Sequence, residues 1–140
     1  MKLYVDEPGS AEVRRLVDQA EIVTASVVAY PEARAALARR RRERSLSVAA
    51  HSRASKAFEA DWPRVLALDV LGPLAQRAGD LADQHRLRGF DALHLASFLQ
   101  IAQEFPGESV RFSSADRVLS RAAQRALRSR KRGSRSSGVG

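Results

Sequence analysis

Cysteine is absent from the 140 residues, which excludes disulfide staples and every metal site built on thiolates. A reducing cytoplasm is the natural compartment for such a chain. Aromatic residues make up 6%, and they do not interleave with arginines as a base-stacking surface requires. Phe58, Trp62, Phe98 and Phe105 instead fall at helical or boundary spacings that suit packing. Long apolar runs are missing too: a stretch such as ALHLASFL is far shorter than the roughly 20 residues that cross a bilayer. The N-terminus shows no charged segment followed by an apolar one, so neither secretion nor membrane insertion is expected. No helix-turn-helix or zinc-finger spacing accompanies the positive charge, which weakens a DNA-binding reading.

What the chain has in quantity is arginine, unevenly placed. Net charge is +8; Arg39, Arg40, Arg41, Arg42, Glu43 and Arg44 together contribute +4, and Arg125 to Gly140 contributes +6 without an acid. The rest is slightly acidic, at −2. Two basic patches of this kind attract phosphate backbones without reading sequence. Taken alone, an arginine run is more often a solvated helix face and a basic terminus a disordered tail.

The length fits one domain with one hydrophobic core. EPGS leads into an amphipathic helix with Ser10 as N-cap and Val13, Leu16 and Val17 on one face. A buried strand is expected around Ile22 and Val23, followed by a helix capped by Thr24 or Ser26 that carries Glu32 into the arginine block. Pro31 implies that this helix starts late or kinks. Helical spacing covers Ser45 to Asp61, a short strand fits Val65 to Val70, and helix returns with Pro73 in its first turn. Asp91 opens a further helix, PGE turns the chain, VRFSS reads as a strand, and Ala115 to Arg130 as the last helix. Strands alternating with helices predict an α/β fold with a parallel sheet flanked by helices.

Three acids stand in distinct strings: Glu32 in SVVAYPEARAAL, Asp91 in RGFDALHLAS and Asp116 in FSSADRVLSRAA. In a parallel sheet, strand carboxyl ends and the helix starts that follow them converge on one crevice. Carboxylates gathered there repel unless a cation neutralises them, and oxygen donors without cysteine point to Mg2+ or Mn2+. Such ions polarise phosphoryl oxygens and activate water, which makes phosphodiester hydrolysis the matching chemistry. Each acid also has a plainer reading: Asp91 or Asp116 as a helix cap, Glu32 as an ion-pair partner of Arg34 or Arg39.

These strings together resemble the PIN-domain ribonucleases and, among them, the VapC toxins of bacterial toxin–antitoxin modules. The resemblance runs from KLYVDEPGS through TASVVAYPEARAAL and GFDALHLA to FSSADRVLSRAA, giving a PIN-like domain over 1–125 and a basic flexible tail over 126–140. It implies a Mg2+- or Mn2+-dependent endoribonuclease in which Glu32, Asp91 and Asp116 are metal ligands and Ser114 supports the site. It also implies RNA as substrate, a cognate antitoxin and homodimers; the charge run makes Arg39, Arg40, Arg41, Arg42 and Arg44 the candidate RNA-contacting residues.

Members of that family open with a hydrophobic strand ending in an aspartate, whereas this sequence opens at Met1-Lys2-Leu3-Tyr4. The expectation is therefore a PIN-like sheet lacking its first, central strand and one acid, with a coding region that begins upstream. Asp6 lies past the corresponding turn and is a poor replacement. The alternative is a noncatalytic, truncated PIN-like module that binds RNA or an antitoxin.

Overall fold

A computed structural model describes residues 2–106, 108–114 and 116–136, with side chains as far as residue 128. Gly107 of the expected PGE turn, Ala115 and Met1 lie outside the described residues. The order is α1 (Ser10–Asp18), β1 (Thr24–Ser26), α2 (Ala29–Arg42), α3 (Val48–Asp61), a 3-10 turn (Trp62–Arg64), β2 (Leu66–Leu68), α4 (Gly72–His85), α5 (Gly89–Glu104) and α6 (Arg117–Ser136). The chain divides into two compact units, 1–69 and 70–140. No described helix is long and apolar enough to cross a membrane.

The first unit is mixed α/β. Its two strands run parallel, with Thr24 opposite Leu66, Ala25 opposite Ala67 and Ser26 opposite Leu68. Parallel neighbours need a crossover, supplied here by the helical hairpin of α2 and α3. Pairing continues just past the strands, since Leu66 N–H donates to Val23 O (2.9 Å) and Val27 N–H to Leu68 O (2.8 Å). The expected strand therefore forms a little later than Ile22, which is 63% exposed rather than buried. Thr24 and Ser26 belong to that strand and cap nothing; α2 starts from Val28. Pro31 is tolerated because it lies in the first turn, where backbone N–H groups lack intrahelical acceptors.

Ser10, expected as a cap, is the first residue of α1 and is buried, while Gly9 occupies the cap in a left-handed conformation at φ 86°. Its hydroxyl donates to Val5 O and accepts from Glu7 N–H, each at 3.0 Å, tying the N-terminal turn to the helix. Ser47 is a true cap: its Oγ accepts from Ala50 N–H at 3.1 Å and starts α3. Val5, Leu37 and Ala54 form the apolar centre, with Tyr4 and Leu46 packed against it. Beside them, Phe58 is ringed by Tyr4, Tyr30 and Trp62 at centroid distances of 5.5, 5.4 and 5.7 Å. Such ring pairs each add about 0.5–1.5 kcal/mol beyond area burial.

Among its described residues, the regular elements of the second unit are all helices. Leu74, Ala78 and Leu81 of α4, Ala92, Leu95, Ala96, Phe98 and Leu99 of α5, and Leu119, Ala122 and Ala123 of α6 form one core. Small residues at helical spacing let α5 sit closely against both neighbours, and Leu95 and Ala96 are fully buried. VRFSS forms no strand. Arg111 and Ser113 are exposed, while Phe112 leans on Phe98 at 4.9 Å and packs with Val110 against the helical core. That segment is anchored by side chains instead of a backbone ladder. Helix α6 continues to Ser136, into the stretch read as a tail.

Candidate functional site

All three candidate acids stand at helix starts. Glu32 lies in the first turn of α2, which follows directly from the carboxyl end of β1. Asp91 lies in the first turn of α5, half-buried, with Arg88 and not Asp91 at the cap. Asp116 precedes α6 and caps it: its Oδ1 accepts from Val118 N–H (2.7 Å) and Leu119 N–H (3.1 Å). The positive end of a helix dipole favours a negative group by about 0.3–1 kcal/mol, so each position suits an ionised carboxylate.

The turn that presents Asp116 is held by serines. Ser114 Oγ accepts from Asp116 N–H at 3.0 Å, and Ser120 Oγ donates to Asp116 O at 2.9 Å. Ser114, expected as a supporting residue, thus contacts the backbone of the acid. Ser120 was not singled out from the sequence, although its spacing of four residues from Asp116 is the helical repeat that brings it back. Ser26 is a second addition. It ends β1, is 1% exposed, and its Oγ makes no hydrogen bond among the described residues.

Glu32 belongs to the first unit and Asp91 and Asp116 to the second. Among the described residues, no group of three or more His, Asp or Glu could hold a metal ion. The donor chemistry itself, oxygen throughout with no cysteine, suits a hard divalent cation. Asp6, weighed as a substitute ligand, is exposed and paired with Arg14.

The arginine block is not uniform. Arg40 is half-buried in an ion pair with Glu7 and so serves the packing of α2 on the N-terminal turn. Arg39, Arg41, Arg42 and Arg44 are exposed. Arg34, nearer the start of α2, pairs with Glu59 of α3, and Tyr30 Oη donates to the same carboxylate at 2.8 Å. The hydrogen bond to Glu59, then that to Tyr30, holds the Arg34 guanidinium protonated further above its ordinary range. Tyr4 has its pKa pushed up to about 12, first by burial and then by the Asp61 carboxylate beside it.

Two ribonucleases of Mycobacterium tuberculosis are similar to this chain: Ribonuclease VapC45 of strain CDC 1551 / Oshkosh and Ribonuclease VapC49 of strain ATCC 25618 / H37Rv. Each is 38% identical over 101 residues, which cover 72% of this chain and 70% of the relative. No family model matches the chain. No solved structure matches it either.

Proposed function

The chain belongs to the VapC-type PIN-domain ribonuclease family, and on that premise we propose that it is a divalent-cation-dependent endoribonuclease restrained by a cognate antitoxin protein. The observation that carries this reading is 38% identity to two ribonucleases over 72% of the chain. The position of the three acids at helix starts, where ionised carboxylates are favoured, supports it.

In this reading Glu32, Asp91 and Asp116 would hold Mg2+ or Mn2+. The ion, when bound, polarises a phosphoryl oxygen and makes its own water more acidic. Asp116 would serve two purposes: Oδ1 fixes the start of α6, and the carboxylate would also contribute to holding the ion. Ser114 and Ser120 hold the backbone on either side of that carboxylate, so its direction is set before an ion arrives. The exposed arginines of α2 draw the RNA backbone to the protein, a sequence-independent attraction that falls with salt. Homodimers and a cytoplasmic setting complete the reading.

Cleavage of RNA should require Mg2+ or Mn2+ and stop on chelation. Asp91→Asn and Asp116→Asn should each abolish it while circular dichroism and unfolding remain as in the parent. Cleavage that survives both substitutions would remove these acids from the site. Salt-sensitive RNA binding without cleavage at any concentration of either ion would assign the chain the noncatalytic role instead.

A further inference from the structure

The last turns of α2 and the first turn of α3 enclose an open concavity lined by Ala38, Arg41, Arg42 and His51. We propose that this mouth of the helical hairpin seats a backbone phosphate of single-stranded RNA, on residues other than the candidate acids. The proposal rests on the ribonuclease reading for the identity of the strand; the anion chemistry is set by the concavity itself.

Several features converge. Ala38, Arg41 and Arg42 are spaced three and four residues apart, so they share one face of α2, the face turned to α3. Alanine at the first of these positions leaves room between two guanidiniums, which recognise phosphate oxygens through paired N–H donors. A helix C-terminus ordinarily repels anions through its bare carbonyls. Here three carbonyls of the last turn are occupied: Arg39 O accepts from Glu43 N–H, Arg40 O from Ser45 and Leu46 N–H, and Arg41 O from Arg44 N–H. Arg44 makes that closure possible by adopting φ 56°, a left-handed conformation.

From the other side, α3 begins at Val48 with Ser47 as cap, and the positive end of a 14-residue helix lies one turn from His51. His51 is half-buried, which limits where its imidazole can point. The neighbouring charges are not all favourable, since Glu43 follows Arg42 and subtracts one positive charge from the stretch. Arg40 and Arg34 are taken up by Glu7 and Glu59 and so contribute little to a ligand. Within the arginine block, Arg41 and Arg42 are therefore the pair that meets a concave surface.

The test is the binding of a fluorescein-labelled single-stranded RNA oligonucleotide of mixed sequence, measured by anisotropy in EDTA over a range of salt. Without divalent ions no cleavage intervenes, so the outcome is independent of whether the protein is a nuclease. The double variant Arg41→Gln/Arg42→Gln should reduce the slope of log affinity against log salt by about 0.7, the value for one phosphate of a single strand. A charge-matched control, Arg15→Gln/Arg53→Gln, should leave the slope nearly unchanged. Ring resonances of His51 should shift when the oligonucleotide is added. Equal loss of slope in both double variants, or an unmoved His51, would overturn the proposal. Loss of cleavage with this binding intact would instead count against the ribonuclease reading alone.

Discussion

The two units reach stability by different routes. In the second, a continuous aliphatic core runs through α4, α5 and α6, with alanines letting the helices approach. In the first, the apolar centre of Val5, Leu37 and Ala54 is thin, and rings around Phe58 and the pairs Arg40–Glu7 and Arg34–Glu59 surround it. Burial is non-directional and strong per residue, whereas surface pairs are weak and screened by salt. The difference teaches that polar substitutions should matter mainly in the first unit and cavity-forming ones most in the second.

The largest expected effect is at Leu95, which is 0% exposed in the middle of α5. Leu95→Ala should cost about 4 kcal/mol, near the upper part of the range for such truncations, because neighbours on three helices cannot close the gap. Leu37→Ala, at 1% exposure in the smaller centre, should cost about 2–3 kcal/mol. Urea unfolding of both variants checks the contrast, and a greater loss at Leu37 breaks it.

Next comes Asp116, where cap and proposed chemistry can be separated. Asp116→Ala should cost about 1 kcal/mol because Val118 and Leu119 N–H lose their acceptor. Asp116→Asn keeps a cap oxygen and should change stability by no more than a few tenths of a kcal/mol, although cleavage is lost in both. Thermal unfolding alongside an RNA assay reads the two effects apart.

A smaller change is expected at Glu7. Glu7→Gln removes the partner of Arg40 and should cost about 0.5 kcal/mol, declining as salt is raised because the pair is only partly buried. Tyr4 shows no effect near neutrality. Its folded pKa of about 12 lies above the ordinary 10, so its contribution is complete below about pH 10 and is lost as pH rises through 12. Alkaline absorbance titration should show a late-ionising tyrosine that Tyr4→Phe removes; an unchanged titration would deny the burial and the role of Asp61.

Much of this organisation was legible in the sequence because it is local. The end of α3 at Asp61 followed from helical spacing, Pro73 from its tolerance in a first turn, and the capping alternative for Asp116 from an acid ahead of an apolar-periodic helix. Strands were harder, since a strand exists only through its partner. VRFSS has strand-like alternation, yet Phe112 finds Phe98 and Val110 finds the helical core, and no ladder forms there. Ile22 was misplaced for the same reason: pairing with Leu66 begins at the carbonyl of Val23, leaving Ile22 in solvent. At the site, each acid's helix start could be read from its own string. The inward turn of Arg40 could not, because its partner Glu7 lies 33 residues away. His51 escaped notice likewise, since it joins Arg41 and Arg42 only through the turn between α2 and α3.

The central proposal is that activity depends on a divalent cation for which Glu32, Asp91 and Asp116 are the candidate ligands. Titration of the intact protein with Mn2+, followed by the loss of the free-ion electron paramagnetic resonance signal, tests it most directly. Binding of a single ion that is weakened at least tenfold by Glu32→Gln, by Asp91→Asn and by Asp116→Asn alike is the predicted result. Undiminished Mn2+ binding by Glu32→Gln, alongside its loss in the two aspartate variants, would contradict it.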